Sequence, residues 1–210
     1  MSEKTVILDI KKELRASMNG VASAAMRQTA DYRVNFGVEL PRIQEIAAEF
    51  TPDVNLAGAL WKENVRECRI LATLLMPIEA FDEALCDVWV EGIRTVELAQ
   101  VFALNLMRRV CYARRKAFEW VSGDQLVLQV LGYATMCHVL RSPEADCGVS
   151  GTDGQGMDER SANELLDHIA CDLQSGQSIL QTAAAKTLRI YAAQGEIQTA
   201  RAKKVADYLF

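Results

Sequence analysis

Arg108, Arg109, Arg114, Arg115 and Lys116 crowd the stretch NLMRRVCYARRKAFEWV, residues 105–121, of a chain whose formal charge is −5. Apolar Leu106, Val110, Tyr112, Phe118 and Trp120 are interleaved with them. Guanidinium groups at helical spacing suit the non-bridging oxygens of phosphate, which match arginine's planar donor fork. The alternative is a solvated helix end. Arg108 and Arg109 would close one helix, where cations complement the dipole, and the others would simply face water. Composition by itself favours that second reading.

Other chemistries find less support. The six cysteines, Cys68, Cys86, Cys111, Cys137, Cys147 and Cys171, contain no CxxC pair, and their wide spacing reads as reduced, mostly buried thiols. Cys137-His138 and His168 with Cys171 could in principle offer zinc ligands, but neither spacing is a metal signature; no metal and no cofactor is expected. The Gly-rich stretch SPEADCGVSGTDGQGMD, residues 142–158, lacks GxxxxGK[ST] and carries acids that repel anions, so it reads as one long surface loop. No helix has the mix of base-reading polar residues that a helix-turn-helix uses. Trp61 and Trp120 read as core, and Trp89 adjoins a position discussed below.

The charge is unevenly spread. Residues 89–141 hold 7 basic and 4 acidic side chains, and residues 186–210 hold 5 and 2. Between them, residues 142–185 hold 1 and 8, while residues 1–88 hold 10 and 14. Two basic regions are thus separated by a strongly acidic one, and local charge is what binds phosphate. The chain of 210 residues, half of them hydrophobic, is long enough to bury a real core. No apolar run approaches a membrane span and no signal-peptide pattern is present, which gives a cytoplasmic expectation without membrane contact.

The elements that must position these cations read as helices almost throughout. Leu8, Leu14 and Met18 fit one face of a first helix, with a left-handed end expected at Asn19-Gly20. Further helices are predicted over 21–32, 41–50, 53–60, 65–76, 81–93, 95–109, 112–121, 124–141, 159–175, 178–193 and 196–209, with Pro41 opening one and Pro77 stopping another. No segment alternates as a strand does. Short helices joined by tight turns predict an all-α superhelix, a solenoid of HEAT-like helical pairs forming a single domain over residues 1–210.

Several local patterns occur together in one family. Tyr32 with Phe36-Gly37-Val38-Glu39-Leu40-Pro41-Arg42, Leu60-Trp61 followed by Arg66-Glu67, Trp89, Tyr112-Ala113-Arg114-Arg115-Lys116-Ala117-Phe118, and Leu188-Arg189-Ile190-Tyr191 stand in family order. On these pieces the chain resembles the bacterial DNA alkylation repair family, the HEAT-like-repeat alkylpurine DNA glycosylases of the AlkD type, from about Tyr32 to Tyr191. The resemblance implies a C-shaped solenoid whose basic concave face holds duplex or damaged DNA by its backbone. It implies Arg94, Arg114, Arg115, Lys116, Lys186 and Arg189 as DNA-binding positions, whereas Arg201, Lys203 and Lys204 read as a polar helix face.

The family's excision chemistry depends on an aromatic residue, an aspartate four positions later, and a tryptophan shortly before L-R-x-Y. The matching positions here are Val90, Arg94 and Lys186. Sliding the match by one recovers the aromatic at Trp89 but puts Ile93 in place of the acid. Releasing a cationic base builds positive charge on the sugar, and a preorganised carboxylate stabilises it. Two unit charges 4 Å apart interact by about 4 kcal/mol at an effective dielectric of 20. A guanidinium there turns that attraction into a repulsion of similar size. Glu91 and Glu97, three residues either side of Arg94, are the possible substitute acids.

Three readings follow. The first is a DNA-binding protein of this family whose excision residues are degenerate. The second is an active DNA glycosylase with a relocated acid, and the third a helical scaffold for a protein partner that uses the acidic segment.

Overall fold

The computed structural model describes residues 3–27, 34–142 and 157–210. Tyr32, Cys147 and nearly all of the 142–158 loop lie outside the described residues. The described residues contain twelve α-helices and no strand; one isolated parallel bridge joins Val34 to Val65. No described helix is long and apolar enough to cross a membrane. The chain forms two compact units, 1–106 and 107–210.

The first unit holds α1 (Glu3–Ala16), α2 (Gly20–Arg27), α3 (Leu40–Ala48), α4 (Val54–Lys62), α5 (Arg66–Leu75), α6 (Glu83–Val90) and α7 (Val96–Asn105). Side-chain caps begin several of these helices. Asp53, Asp82 and Thr95 accept from the backbone N–H three residues on, and Pro41 sits in the first turn of α3. Two details differ from expectation. The inner face of α1 is Ile10 and Leu14, while Leu8 is 66% and Met18 57% exposed. Asn19 does not end α1 in a left-handed turn. Its Oδ1 accepts from the N–H groups of Val21 and Ala22, so it starts α2 instead.

Helices α4, α5, α6 and α7 enclose an aromatic cluster. Trp61 and Trp89 stack at 4.5 Å, and Phe81 and Phe102 meet them edge-on or tilted. Pairs of this kind contribute about 0.5–1.5 kcal/mol each beyond the area they bury.

The second unit begins with the 3-10 turn Met107–Arg109, which takes over where the expected 95–109 helix stops at Asn105. Asn105 donates to the Thr73 hydroxyl at 2.8 Å, tying the end of α7 back to α5. Then come α8 (Ala113–Val121), α9 (Leu126–Arg141), α10 (Glu159–Asp172), α11 (Ser178–Ala192) and α12 (Glu196–Ala206). Helix α9 is the centre of this unit, packed against α8, α11 and the 107–109 turn. Gly132 permits the approach of α8: a Cβ there would lie 2.7 Å from the Ala117 carbonyl oxygen and 2.9 Å from the Val121 nitrogen. Helices contact mainly their near neighbours in sequence within each unit, as in a repeat array.

Candidate nucleic-acid interface

The family-like segment after residue 34 proves to be a buried scaffold. Glu67, fully buried, accepts from the backbone N–H of Phe36 at 3.1 Å and of Val38 at 3.2 Å. Arg66 beside it donates to the Val38 carbonyl at 2.8 Å and to Glu67 at 3.0 Å. Its other nitrogens reach Glu97 at 2.7 and 2.5 Å, a two-pronged pair. Gly37 has φ of +69°, and a Cβ on it would overlap Asn19 O and Ser23 N, so the motif glycine serves a close approach of α2. Phe36-Gly37-Val38 and Arg66-Glu67 therefore carry the fold.

This arrangement takes in Glu97, one of the two carboxylates that flank Arg94 in sequence. It is held by Arg66 and is not a free acid. Glu91 is exposed at the C-cap of α6, with no ion-pair partner within 4.0 Å among the described residues. Val90 is 6% exposed, packed at the end of α6. Trp89 is buried and stacked against Trp61. Arg94 is exposed, in the turn between α6 and α7. The position thus presents a cation to solvent.

On the second unit, α8 turns Arg115 outward, leaves Arg114 half-buried and takes Lys116 into the interior. Lys116 is 3% exposed, and its ammonium meets Glu119 one turn on at 2.9 Å. That internal pair sets it apart from the outward cations, although the sequence counted it with them. On α11, Lys186 and Arg189 are both exposed one turn apart, while Thr187, Leu188 and Tyr191 face the core. The leucine and tyrosine of the L-R-x-Y match are thus structural, and its arginine is on the surface.

Lys186 also belongs to a group that sequence reading did not assemble. Arg108 from the 107–109 turn, Arg141 at the end of α9 and Lys186 from α11 all act on the half-buried His138 ring. Burial first, and then these three cations, hold its pKa below the ordinary imidazole value. Arg108, Arg141, Lys186 and Arg189 have no carboxylate within 4.0 Å among the described residues. Contiguity in sequence hid this cluster, since its members come from residues 108, 138, 141 and 186.

The remaining candidates resolve simply. Cys68, Cys86 and Cys137 are buried thiols, and Cys111 and Cys171 are exposed. No three His, Cys, Asp or Glu side chains gather as a metal site among the described residues. His168 hydrogen-bonds the Ser122 hydroxyl at 3.2 Å, and Arg201 bonds the Asn163 amide oxygen. Trp120 is 5% exposed, a core residue of α8.

Comparison with known proteins agrees with this architecture. No curated protein matches the sequence. A solved structure superposes with a TM-score of 0.80 at 18% identity, covering 100% of this chain and 83% of the other. That structure is described as belonging to a new family of proteins related to the HEAT-like repeat DNA glycosylases, with affinity for branched DNA structures. The shared fold is all-helical and HEAT-like. A family model described as DNA alkylation repair enzyme matches residues 10–202, nearly the whole chain, and the protein belongs to that family.

Proposed function

We propose that this protein binds DNA through its phosphate backbone and that the family's usual route of base excision is lost. The observation that carries the reading is a set of outward cations, Arg108, Arg141, Lys186 and Arg189, with no acidic partner among the described residues. Lys186 and Arg189 share one exposed face of α11, and Arg108 and Arg141 stand on neighbouring elements of the same unit. Unpaired cations on packed helices present a fixed pattern of positive charge, which suits a polyanion with regularly spaced phosphates. On α8, Arg115 is exposed and Arg114 half-buried, and Arg94 is an exposed cation of the first unit. The affinity for branched DNA described for the related structure makes junctions as well as duplexes candidate ligands.

The same residues argue against excision. Val90, Arg94 and Lys186 stand where the family has an aromatic, an acid and a tryptophan. A cationic alkylated base would meet repulsion at either Arg94 or Lys186, whereas a phosphate would meet attraction at either. The one observation favouring an active glycosylase is Glu91, an exposed carboxylate without an ion-pair partner among the described residues.

Two assays on purified protein test this. Equilibrium binding to an undamaged duplex and to a four-way junction should be saturable, and Arg189→Glu and Arg115→Glu should each weaken it by about tenfold, roughly 1.4 kcal/mol. Affinity unchanged by both reversals would remove the proposal. Incubation with methylated DNA should release no more free purine than a heat-treated control. Release abolished by Glu91→Gln would establish the glycosylase reading instead.

A further inference from the structure

We propose that Arg108, His138, Arg141 and Lys186 form one subsite for a DNA backbone phosphate on the second unit, with His138 as its protonatable donor. The inference rests on the DNA-binding reading above and adds a specific residue and a proton to it.

The geometry is that of a strip opening between packed elements. Between Val130 and Arg141, α9 is buried except at Ala134, His138 and Arg141, positions that lie along one line of the helix. The elements packed on α9 are the 107–109 turn, α8 and α11. The turn contributes Arg108, α11 contributes Lys186, and Arg141 stands one turn beyond His138 on its own helix. The charged groups of α8 are Arg114, Arg115, Lys116 and Glu119, and Lys116 pairs with Glu119 on its own helix. Among the described residues no carboxylate approaches Arg108, Arg141 or Lys186 within 4.0 Å, and no hydrogen bond engages the His138 ring.

Each long cation can reach water by itself. The half-buried imidazole cannot do so as freely, and among the described residues it has no hydrogen-bond partner in a positive field. A monoanionic phosphodiester seated among the four groups would reverse that field. The proton that burial and three cations disfavour in the free protein would then be attracted, and the imidazolium would gain an N–H donor toward a phosphate oxygen. The phosphodiester itself does not titrate in this range, so the proton comes from solvent and goes to a His138 ring nitrogen.

The sign follows by linkage. The free-state pKa lies below the ordinary histidine value and the bound-state pKa lies above the free one. Binding therefore takes up a proton between those two values, and affinity rises as pH falls through the window, by at most about tenfold per pH unit. The sequence holds only two histidines, His138 and His168, and the second hydrogen-bonds Ser122 outside this cluster. That makes the assignment clean.

The experiment is calorimetric titration of the full chain with an undamaged duplex at about pH 6.5, in two buffers of different ionisation enthalpy. Uptake of a fraction of a proton by the wild type and by His168→Gln, and none by His138→Gln, is the expected result. Saturable DNA binding without proton uptake, or uptake that persists in His138→Gln, overturns the subsite while leaving the DNA-binding reading intact. Absence of DNA binding at every pH overturns both. Should His138→Gln fail to fold, the imidazole proton resonances of the wild type decide. DNA must raise the pKa of His138 and leave that of His168 in place; the opposite pattern refutes the proposal.

Discussion

Glu67 shows how a motif residue that looks chemical is spent on the fold. A carboxylate with zero exposure survives in the interior because it accepts from two backbone N–H groups and pairs with Arg66. Removing it leaves Arg66 buried with only Glu97 and the Val38 carbonyl, and frees the N–H groups of Phe36 and Val38. We expect Glu67→Ala to cost about 3–5 kcal/mol in urea denaturation. It should also loosen the 34–38 segment, seen as faster amide exchange there. A loss below about 1 kcal/mol would mean the network is far less tight than it looks. The sequence marked Arg66-Glu67 as a piece of the family pattern, while their contact with each other is seen only in the fold. The involvement of Glu97 was not legible, since it lies on another helix and sequence spacing tied it to Arg94. The same limit applied to Lys116: its type suggested phosphate, and only its helical phase places it inside, on Glu119.

At the scale of elements, α9 organises the second unit. Its exposed strip carries His138 and Arg141, its small Gly132 admits α8, and Tyr133 on its buried side donates to Asp172 of α10 at 2.5 Å. Burial and that hydrogen bond push the Tyr133 phenol far above its ordinary pKa. A folded pKa raised above the unfolded one gives stability that is complete below about pH 10 and is lost as pH rises beyond it, because the unfolded chain can ionise and the fold cannot. Thermal midpoints should therefore fall steeply above about pH 10 in the wild type. In Tyr133→Phe the fold should already be less stable at neutral pH, by about 1–3 kcal/mol for a buried carboxylate left with one partner fewer, with a lower midpoint and a shallower alkaline slope. An alkaline slope identical in both proteins would count against the pair. His138 has the opposite sign. Its lowered pKa destabilises the free fold as pH falls below the ordinary histidine value.

Helix identity was largely readable from apolar spacing and from Pro41, Asp53 and Pro77, whose effects are local. Helix phase was less so at the chain start. Leu8 and Met18 fitted a face as well as Ile10 did, and packing against α3 and α4 decided in favour of Ile10 and Leu14. The end of α7 at Asn105 was also hidden, because the tie from Asn105 to Thr73 is tertiary.

At the scale of the molecule, the two basic stretches of sequence meet within the second unit. Residues near the close of α7 and residues on α11 are far apart in the chain, yet Arg108 and Lys186 act on the same histidine. The family pattern identified Lys186 and Arg189 as positions to watch, and both stand exposed on α11. Arg108, His138 and Arg141 follow no motif and emerge only when α9, α11 and the 107–109 turn are packed. An overall charge of −5 alone would have argued against a nucleic-acid partner; its segregation argues for one.

The central claim, that outward cations grip phosphate, is tested most directly by the salt dependence of binding to an undamaged duplex. Each phosphate neutralised contributes about −0.9 to the slope of log K against log salt. Three to five contacts from Arg94, Arg114, Arg115, Lys186 and Arg189 predict a slope of roughly −3 to −4.5, reduced by about 1 in Arg189→Glu. A flat response, or no binding at about 50–100 mM salt, would contradict the account.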